Sequence, residues 1–244
     1  MRSRRAEVLR ERWFGHKPTD WQSYHAIVAR YLRPGITVVE VGPGKGMVSP
    51  FRWDEWKRRM DIRLVGLDPD PSAAHNPFLD RFELLTDGRL WPIPDGCADL
   101  VVARYVLEHV ADPDTFMANV VRVLRPGREF VFLTPNRASP VMWASRLLPH
   151  PVHVAILKAT RGSEPSDVFS TYYRANSLRV LQRLARRHGL RVDHLAASEF
   201  VPFGYLDFFL PGFLAAVAYY HVVSRTRLHT YIGTSLTGVL TKMP

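Results

Sequence analysis

The chain has 244 residues, 46% of them hydrophobic and 23% charged, which suits a folded α/β protein with a full core and excludes a disordered chain. Lysine and arginine number 33 against 23 aspartates and glutamates, a net charge of +10 that arginine mostly supplies. The single cysteine, Cys97, excludes an internal disulfide and fits a reducing cytoplasm.

Basic residues open the sequence, Met1-Arg-Ser-Arg-Arg5, but no apolar core follows them, so the start does not read as a secretory signal. Thr19 or Asp20 can cap a first helix running to Leu32, with Trp21, Tyr24, Ile27, Val28 and Tyr31 on one face. Leu32-Arg-Pro-Gly35 stops it. The next stretch, Thr37-Val-Val-Glu-Val-Gly-Pro-Gly-Lys-Gly46, reads as a buried strand entering a glycine-rich turn, with Glu40 near its end. Without a Cβ, glycine lets the backbone turn tightly and approach a ligand.

A second apolar strand, Leu64-Val-Gly-Leu-Asp68, ends on a carboxylate where nucleotide-binding α/β folds place their ribose acid. The turn is not built for phosphate. The dinucleotide fingerprint needs glycine at 47, where methionine stands, and a P-loop needs glycine in place of Val39 and Ser or Thr in place of Gly46.

Further along come Phe82-Glu-Leu-Leu85, Thr86-Asp87-Gly88 and Trp91-Pro-Ile-Pro-Asp-Gly-Cys-Ala-Asp99, then the strand Leu100-Val-Val-Ala103. Arg104-Tyr-Val-Leu-Glu-His-Val-Ala-Asp-Pro113 follows; Asp112 is an N-cap with Pro113 at the first helical position. Phe116, Met117, Val120, Val121 and Leu124 form that helix's apolar stripe. A second Leu-Arg-Pro-Gly, 124–127, reads as a turn before the strand Glu129-Phe-Val-Phe-Leu133.

Residues 136–174, which carry Trp143, His150, His153, Tyr172 and Tyr173, exceed a bare nucleotide fold. A helix over 176–188 turns Leu178, Leu181, Leu184 and Ala185 inward and Arg179, Arg183, Arg186 and Arg187 outward. Leu190–Leu195 reads as a sixth strand and Thr234–Thr241 as a seventh, with 197–228 inserted between them. The run from Phe208 to Ser224 holds no Asp, Glu, Lys or Arg, which touches the lower limit of a membrane span, but Pro211-Gly212 argues against one continuous helix. Both insertions read as substrate-lid material over the carboxyl ends of the strands, and residues 200–224 as a candidate peripheral membrane contact.

Glu40-x-Gly42-x-Gly44-x-Gly46, Asp68, Thr86-Asp87-Gly88 and the segment 104–113, in this order, resemble the class I S-adenosylmethionine (SAM)-dependent methyltransferases, and among them the quinone and sugar methyltransferases. The resemblance covers roughly residues 35–135. It implies a Rossmann-like α/β fold: seven mostly parallel strands, helices on both faces and helical lids, in one domain over 1–244. It implies SAM as cofactor, held by Glu40, Gly42, Gly44, Gly46, Asp68, Asp87, Gly88 and Arg104. Glu40 would face the methionine amino end, Asp68 the ribose hydroxyls and Asp87 the adenine amino group.

Methyl transfer needs alignment and, for a hydroxyl acceptor, a base. His109 is the first candidate, because imidazole is the side chain whose ordinary titration lies nearest neutrality. Tyr105, Tyr172, Tyr173, His150 and His153 are further candidates to meet the acceptor, and Leu-Glu-His as a purely structural element is the competing reading of 107–109. No metal site is evident; His150 and His153 lack a nearby carboxylate. The leading expectation is O-methylation of a small molecule by a cytoplasmic enzyme, the acceptor being a glycan, glycolipid, polyketide or quinone-like hydroxyl. An RNA or protein methyltransferase is favoured only by the charge, and no stripe of basic and aromatic residues supports a nucleic-acid partner. A non-catalytic SAM-binding subunit is the third reading.

Overall fold

Four short runs of apolar residues build the centre of a seven-stranded sheet in the computed structural model, which describes residues 4–15, 17–46, 53–87, 89–140, 142, 170–198 and 210–244. Strands β1 (Thr37–Val41), β2 (Arg63–Asp68), β4 (Ala98–Arg104) and β5 (Leu124–Pro135) are buried along most of their lengths, as strands covered on both faces must be. β3 (Arg81–Leu84) and β6 (Leu190–Ser198) are the edges, and β7 (Ser235–Lys242) lies between β5 and β6. The order is β3-β2-β1-β4-β5-β7-β6. β1 pairs in parallel with β2 and β4, β2 with β3, and β4 with β5, giving a mixed, mostly parallel sheet. The order reverses between β1 and β4, and open α/β sheets bind ligands at the carboxyl ends of strands at such a switch point.

The helices are α1 (Arg4–Phe14), α2 (Asp20–Ala29), α3 (Trp53–Met60), α4 (Pro113–Val123), α5 (Leu178–Arg187), α6 (Leu210–Arg225) and the short α7 (His229–Ile232). The chain divides into two compact units. The larger comprises Trp21–Pro135, Thr171–Ala196 and Leu236–Pro244. Its core gathers Tyr24, Val28, Val38, Trp53, Leu64, Leu100, Val131 and Val239. Packing there leaves no slack: a Cβ on Gly238 of β7 would overlap the ring of Phe132 on β5. The smaller unit comprises Met1–Asp20, Asn136–Ser170 and Ala197–Ser235. Its described core is Ala6 and Phe14 of α1 against Phe213, Val217 and Tyr220 of α6. The Phe14 and Tyr220 rings meet edge to face at 5.4 Å, and Lys17 Nζ donates to Tyr220 Oη at 3.0 Å.

Several expectations shift. The first expected helix ends at Ala29, and Arg30 and Tyr31 close tighter turns onto Ile27 and Val28. Leu124-Arg-Pro-Gly127 is not a free turn but the start of β5. Ala98 pairs with Leu124 and Leu100 with Glu129, so the extra residues bulge out of the ladder, with Gly127 at φ 73° absorbing the bend. Asn176 precedes rather than begins α5, which Ser177 caps by accepting from Val180 N–H. The expected break at Pro211-Gly212 does not occur: α6 runs unbroken from Leu210, because proline in a first turn removes no intrahelical hydrogen bond. Asp112 caps α4 as expected, accepting from Asp114 and Thr115 N–H. Trp143, His150, His153 and Gly88 lie outside the described residues.

Candidate active site

The carboxyl ends of β1 and β2 place two acids beside one glycine turn. β1 and β2 pair with Glu40 opposite Gly66 and Val41 opposite Leu67, so Glu40 and Asp68 end neighbouring strands. Both are buried, at 6% and 5% exposure. Asp68 accepts from Gly44 N–H at 3.0 Å and from Asp70 N–H at 2.9 Å, which ties the second acid directly to the turn. Burial raises its carboxyl above the usual range, and those two N–H groups hold it down.

Glu40 accepts from Trp53 Nε1–H of α3 at 2.9 Å. Burial pushes it up to about 7; the Arg104 charge and the Trp53 hydrogen bond oppose the rise, and the Asp68 charge adds to it. Arg104, at the end of β4, lies over the Trp21 ring with its guanidinium carbon 4.5 Å from the centroid. Beneath them Tyr24 is fully buried and donates to Val131 O at 3.3 Å. Its phenol is pushed well up by burial and then by Glu40. His25 on the same helix is lowered to about 4 by burial and by Arg104, so it is neutral near pH 7.

The turn itself needs glycine. Gly42 has φ 70°, and a Cβ there would sit 2.6 Å from Val106 Cγ2. Gly46 has φ 71°, and a Cβ would overlap Asn76 Oδ1. Asn76 is a clamp that the sequence reading missed. Its Nδ2 donates to Gly44 O at 3.1 Å and Pro43 O at 3.4 Å, while its Oδ1 accepts from Phe78 N–H at 3.0 Å. It follows the 3₁₀ turn Pro71–His75, which Asp70 caps.

Beyond β3, Asp87 is exposed and accepts from Arg89 N–H at 2.9 Å, closing a turn three residues past Leu84, the register partner of Asp68. Tyr105 sits at φ 55°, a strained conformation for a bulky residue, and its N–H donates to Leu133 O at 2.7 Å. His109 is half-buried and ends the 3₁₀ turn Leu107–His109. That turn is pinned twice. The Glu108 carbonyl accepts from Tyr172 and Tyr173 N–H at 2.7 and 3.1 Å, and its buried carboxylate accepts from Thr134 Oγ1 at 3.1 Å. Asn176 Nδ2 in turn donates to Thr134 Oγ1 at 2.6 Å and to Pro135 O at 3.1 Å. Glu108 and Asn176 gave no sequence signal as site residues, because their partners lie 26 and 42 positions away. Among the described residues no cluster of His, Cys, Asp and Glu could hold a metal.

Glu40 is a buried acid at the carboxyl end of β1, beside the glycine turn. Asp68 keeps acceptor capacity beyond its two backbone partners, as a ribose diol requires. These features fit a non-phosphate adenosyl cofactor. A family model described as a methyltransferase domain matches residues 13–195. The chain is 31% identical over 187 residues to a probable S-adenosylmethionine-dependent methyltransferase of Mycolicibacterium smegmatis, covering 69% of this chain and 67% of that one. It is 30% identical over 110 residues to a ubiquinone biosynthesis O-methyltransferase of Rhodopseudomonas palustris, covering 42% of this chain and 41% of that protein. The alignment therefore spans less than half of that relative. A solved S-adenosylmethionine dependent methyltransferase from Mesorhizobium loti shares the fold with TM-score 0.58 at 17% identity, over 93% of this chain and 99% of that one. The chain belongs to the class I SAM-dependent methyltransferases, and its cofactor is SAM.

Proposed function

We propose that the protein methylates a hydroxyl of a small molecule, the acceptor being of the glycan, glycolipid, polyketide or quinone-like type. The observation that carries this reading is the doubly pinned turn that holds His109 just past the end of β4, two strands' width from the Asp68 acid. The partial similarity to ubiquinone biosynthesis O-methyltransferases supports the hydroxyl over other acceptors.

SAM, when bound, supplies a methyl carbon on a sulfonium, a good leaving group. In this reading Glu40 holds the ammonium end, Asp68 the ribose and Asp87 the adenine edge, and Gly42, Gly44 and Gly46 let the backbone close on the cofactor. Arg104, stacked on Trp21, also acts on the Glu40 charge and belongs with the cofactor-binding residues in this reading. His109 would take the proton of the acceptor hydroxyl, for which bound SAM would supply the methyl group and leave as S-adenosylhomocysteine. Tyr105, held at the strand end by Leu133 O, helps to orient the acceptor.

The test is a panel of phenolic, sugar and lipid hydroxyl acceptors, assayed for S-adenosylhomocysteine release. His109→Gln is expected to lower kcat by roughly two to four orders of magnitude, with S-adenosylhomocysteine affinity unchanged. An unaltered kcat on an accepted substrate removes His109 from the chemistry. Tight S-adenosylhomocysteine binding with turnover on no acceptor favours the non-catalytic subunit.

A further inference from the structure

The outer surface of α6 breaks the rule that a surface helix is polar on the side away from its core. Its inner face, Phe213, Val217, Tyr220 and Val223, is buried. The opposite face presents Leu214, Ala215, Ala218 and Val222, all exposed, in one arc at i, i+1, i+4 and i+8. Leu214 is 43% exposed and Val222 62%. The same unit exposes Leu228, Tyr231, Val8 and Trp13, so more than half of the exposed large apolar side chains among the described residues fall within it. No charge interrupts the arc until Arg225, which is exposed, as is Arg227 two residues on. From Phe208 to the last residue the sequence contains no Asp or Glu. α1 adds exposed Arg5 and Arg12 to the same unit.

We propose that this face of α6 rests on an anionic lipid bilayer, its apolar arc in the headgroup boundary and Arg225 and Arg227 on lipid phosphates. Charge selects this occupant. An acid-free apolar helix ending in arginines complements a negative surface, and exposed Trp13 and Tyr231 in the same unit are residue types that suit the membrane interface. A second copy of this chain, itself at +10, would bring like charges together at the same arginines. A spanning role is excluded for the described helices, none of which is long and apolar enough to cross a membrane. The inference is independent of the acceptor chemistry proposed above.

The experiment is co-sedimentation of the full chain with vesicles of phosphatidylcholine alone and of equal parts phosphatidylglycerol and phosphatidylcholine. The wild type is expected to pellet with the mixed vesicles and to be released by salt, with little binding to the neutral ones. Leu214→Gln/Val222→Gln and, separately, Arg225→Glu/Arg227→Glu are each expected to weaken binding about tenfold or more. S-adenosylhomocysteine calorimetry on each variant verifies that it is folded. Wild-type protein that stays in solution with anionic vesicles overturns the proposal. So does binding that survives both pairs of substitutions. A dimer in sedimentation velocity that Leu214→Gln/Val222→Gln dissolves, with no vesicle binding, assigns the face to a second copy instead.

Discussion

Around the glycine turn a charge is buried; on α6 apolar groups are left in water. At the end of β1 the fold keeps Glu40 at 6% exposure, lifts its pKa to about 7 and surrounds it with one indole N–H and the field of Arg104. On α6 it leaves Val222 at 62% exposure in an arc shared with exposed Leu214, Ala215 and Ala218. Each arrangement is unfavourable by itself; in the readings proposed above a cation offsets the first and an apolar layer the second. The network Glu108–Thr134–Asn176 is the contrasting case, a buried polar cluster whose hydrogen bonds join one another and fix a turn.

The largest expected effect separates the two faces of α6. Phe213→Ala on the buried side opens a cavity in the small core and should cost about 3–5 kcal/mol in denaturant unfolding. A loss well below that would mean that the α1–α6 core is loosely packed.

A comparable effect concerns pH and Glu40. Its folded pKa is raised above the ordinary 4.5, so the native state holds an extra proton between about 4.5 and about 7. Glu40's own contribution to stability without cofactor is then fully present below about 4.5 and is lost as pH rises through about 7, by roughly 3 kcal/mol in all. Glu40→Gln should flatten that fall. In the proposed contact the cofactor's ammonium favours the ionised acid, so S-adenosylhomocysteine affinity should rise about tenfold per pH unit below 7 and level off above it. Calorimetry across pH 5.5 to 8 in the parent and Glu40→Gln proteins checks both the slope and its loss.

Asp68→Ala removes the acceptor of two backbone N–H groups together with the proposed ribose contact, and should weaken S-adenosylhomocysteine binding by up to about 100-fold. Binding that persists within threefold would detach the cofactor from this acid. The smallest effect is expected on the outer arc of α6: Leu214→Gln/Val222→Gln should leave the unfolding free energy within about 0.5 kcal/mol of the parent, because both side chains are exposed. A large loss would show that they serve the fold and not a surface.

The first two strands, the glycine turn and the two acids were readable from residues 37–68, since a strand buried on both faces has to be an apolar run and a backbone at φ near 70° selects glycine. The Asp112-Pro113 cap and the inward stripe of α5 were readable for the same local reasons. Local signals also misled. Leu-Arg-Pro-Gly ends a helix segment at 32–35 but enters a β-bulge at 124–127, because β4 is there to pair with it. Pro211-Gly212 suggested a break that its place in a first turn makes harmless.

The sequence by itself determined the element order and the acids at the strand ends, which depend on neighbours in the chain. Tertiary structure alone decided what those groups meet: Trp53 on Glu40, Asn76 beneath the turn and Thr134 joining Glu108 to Asn176, pairings 13 to 42 positions apart. It alone decided which side of an almost wholly apolar α6 faces water, because periodicity cannot choose a face when both sides of the helix carry the same kind of residue.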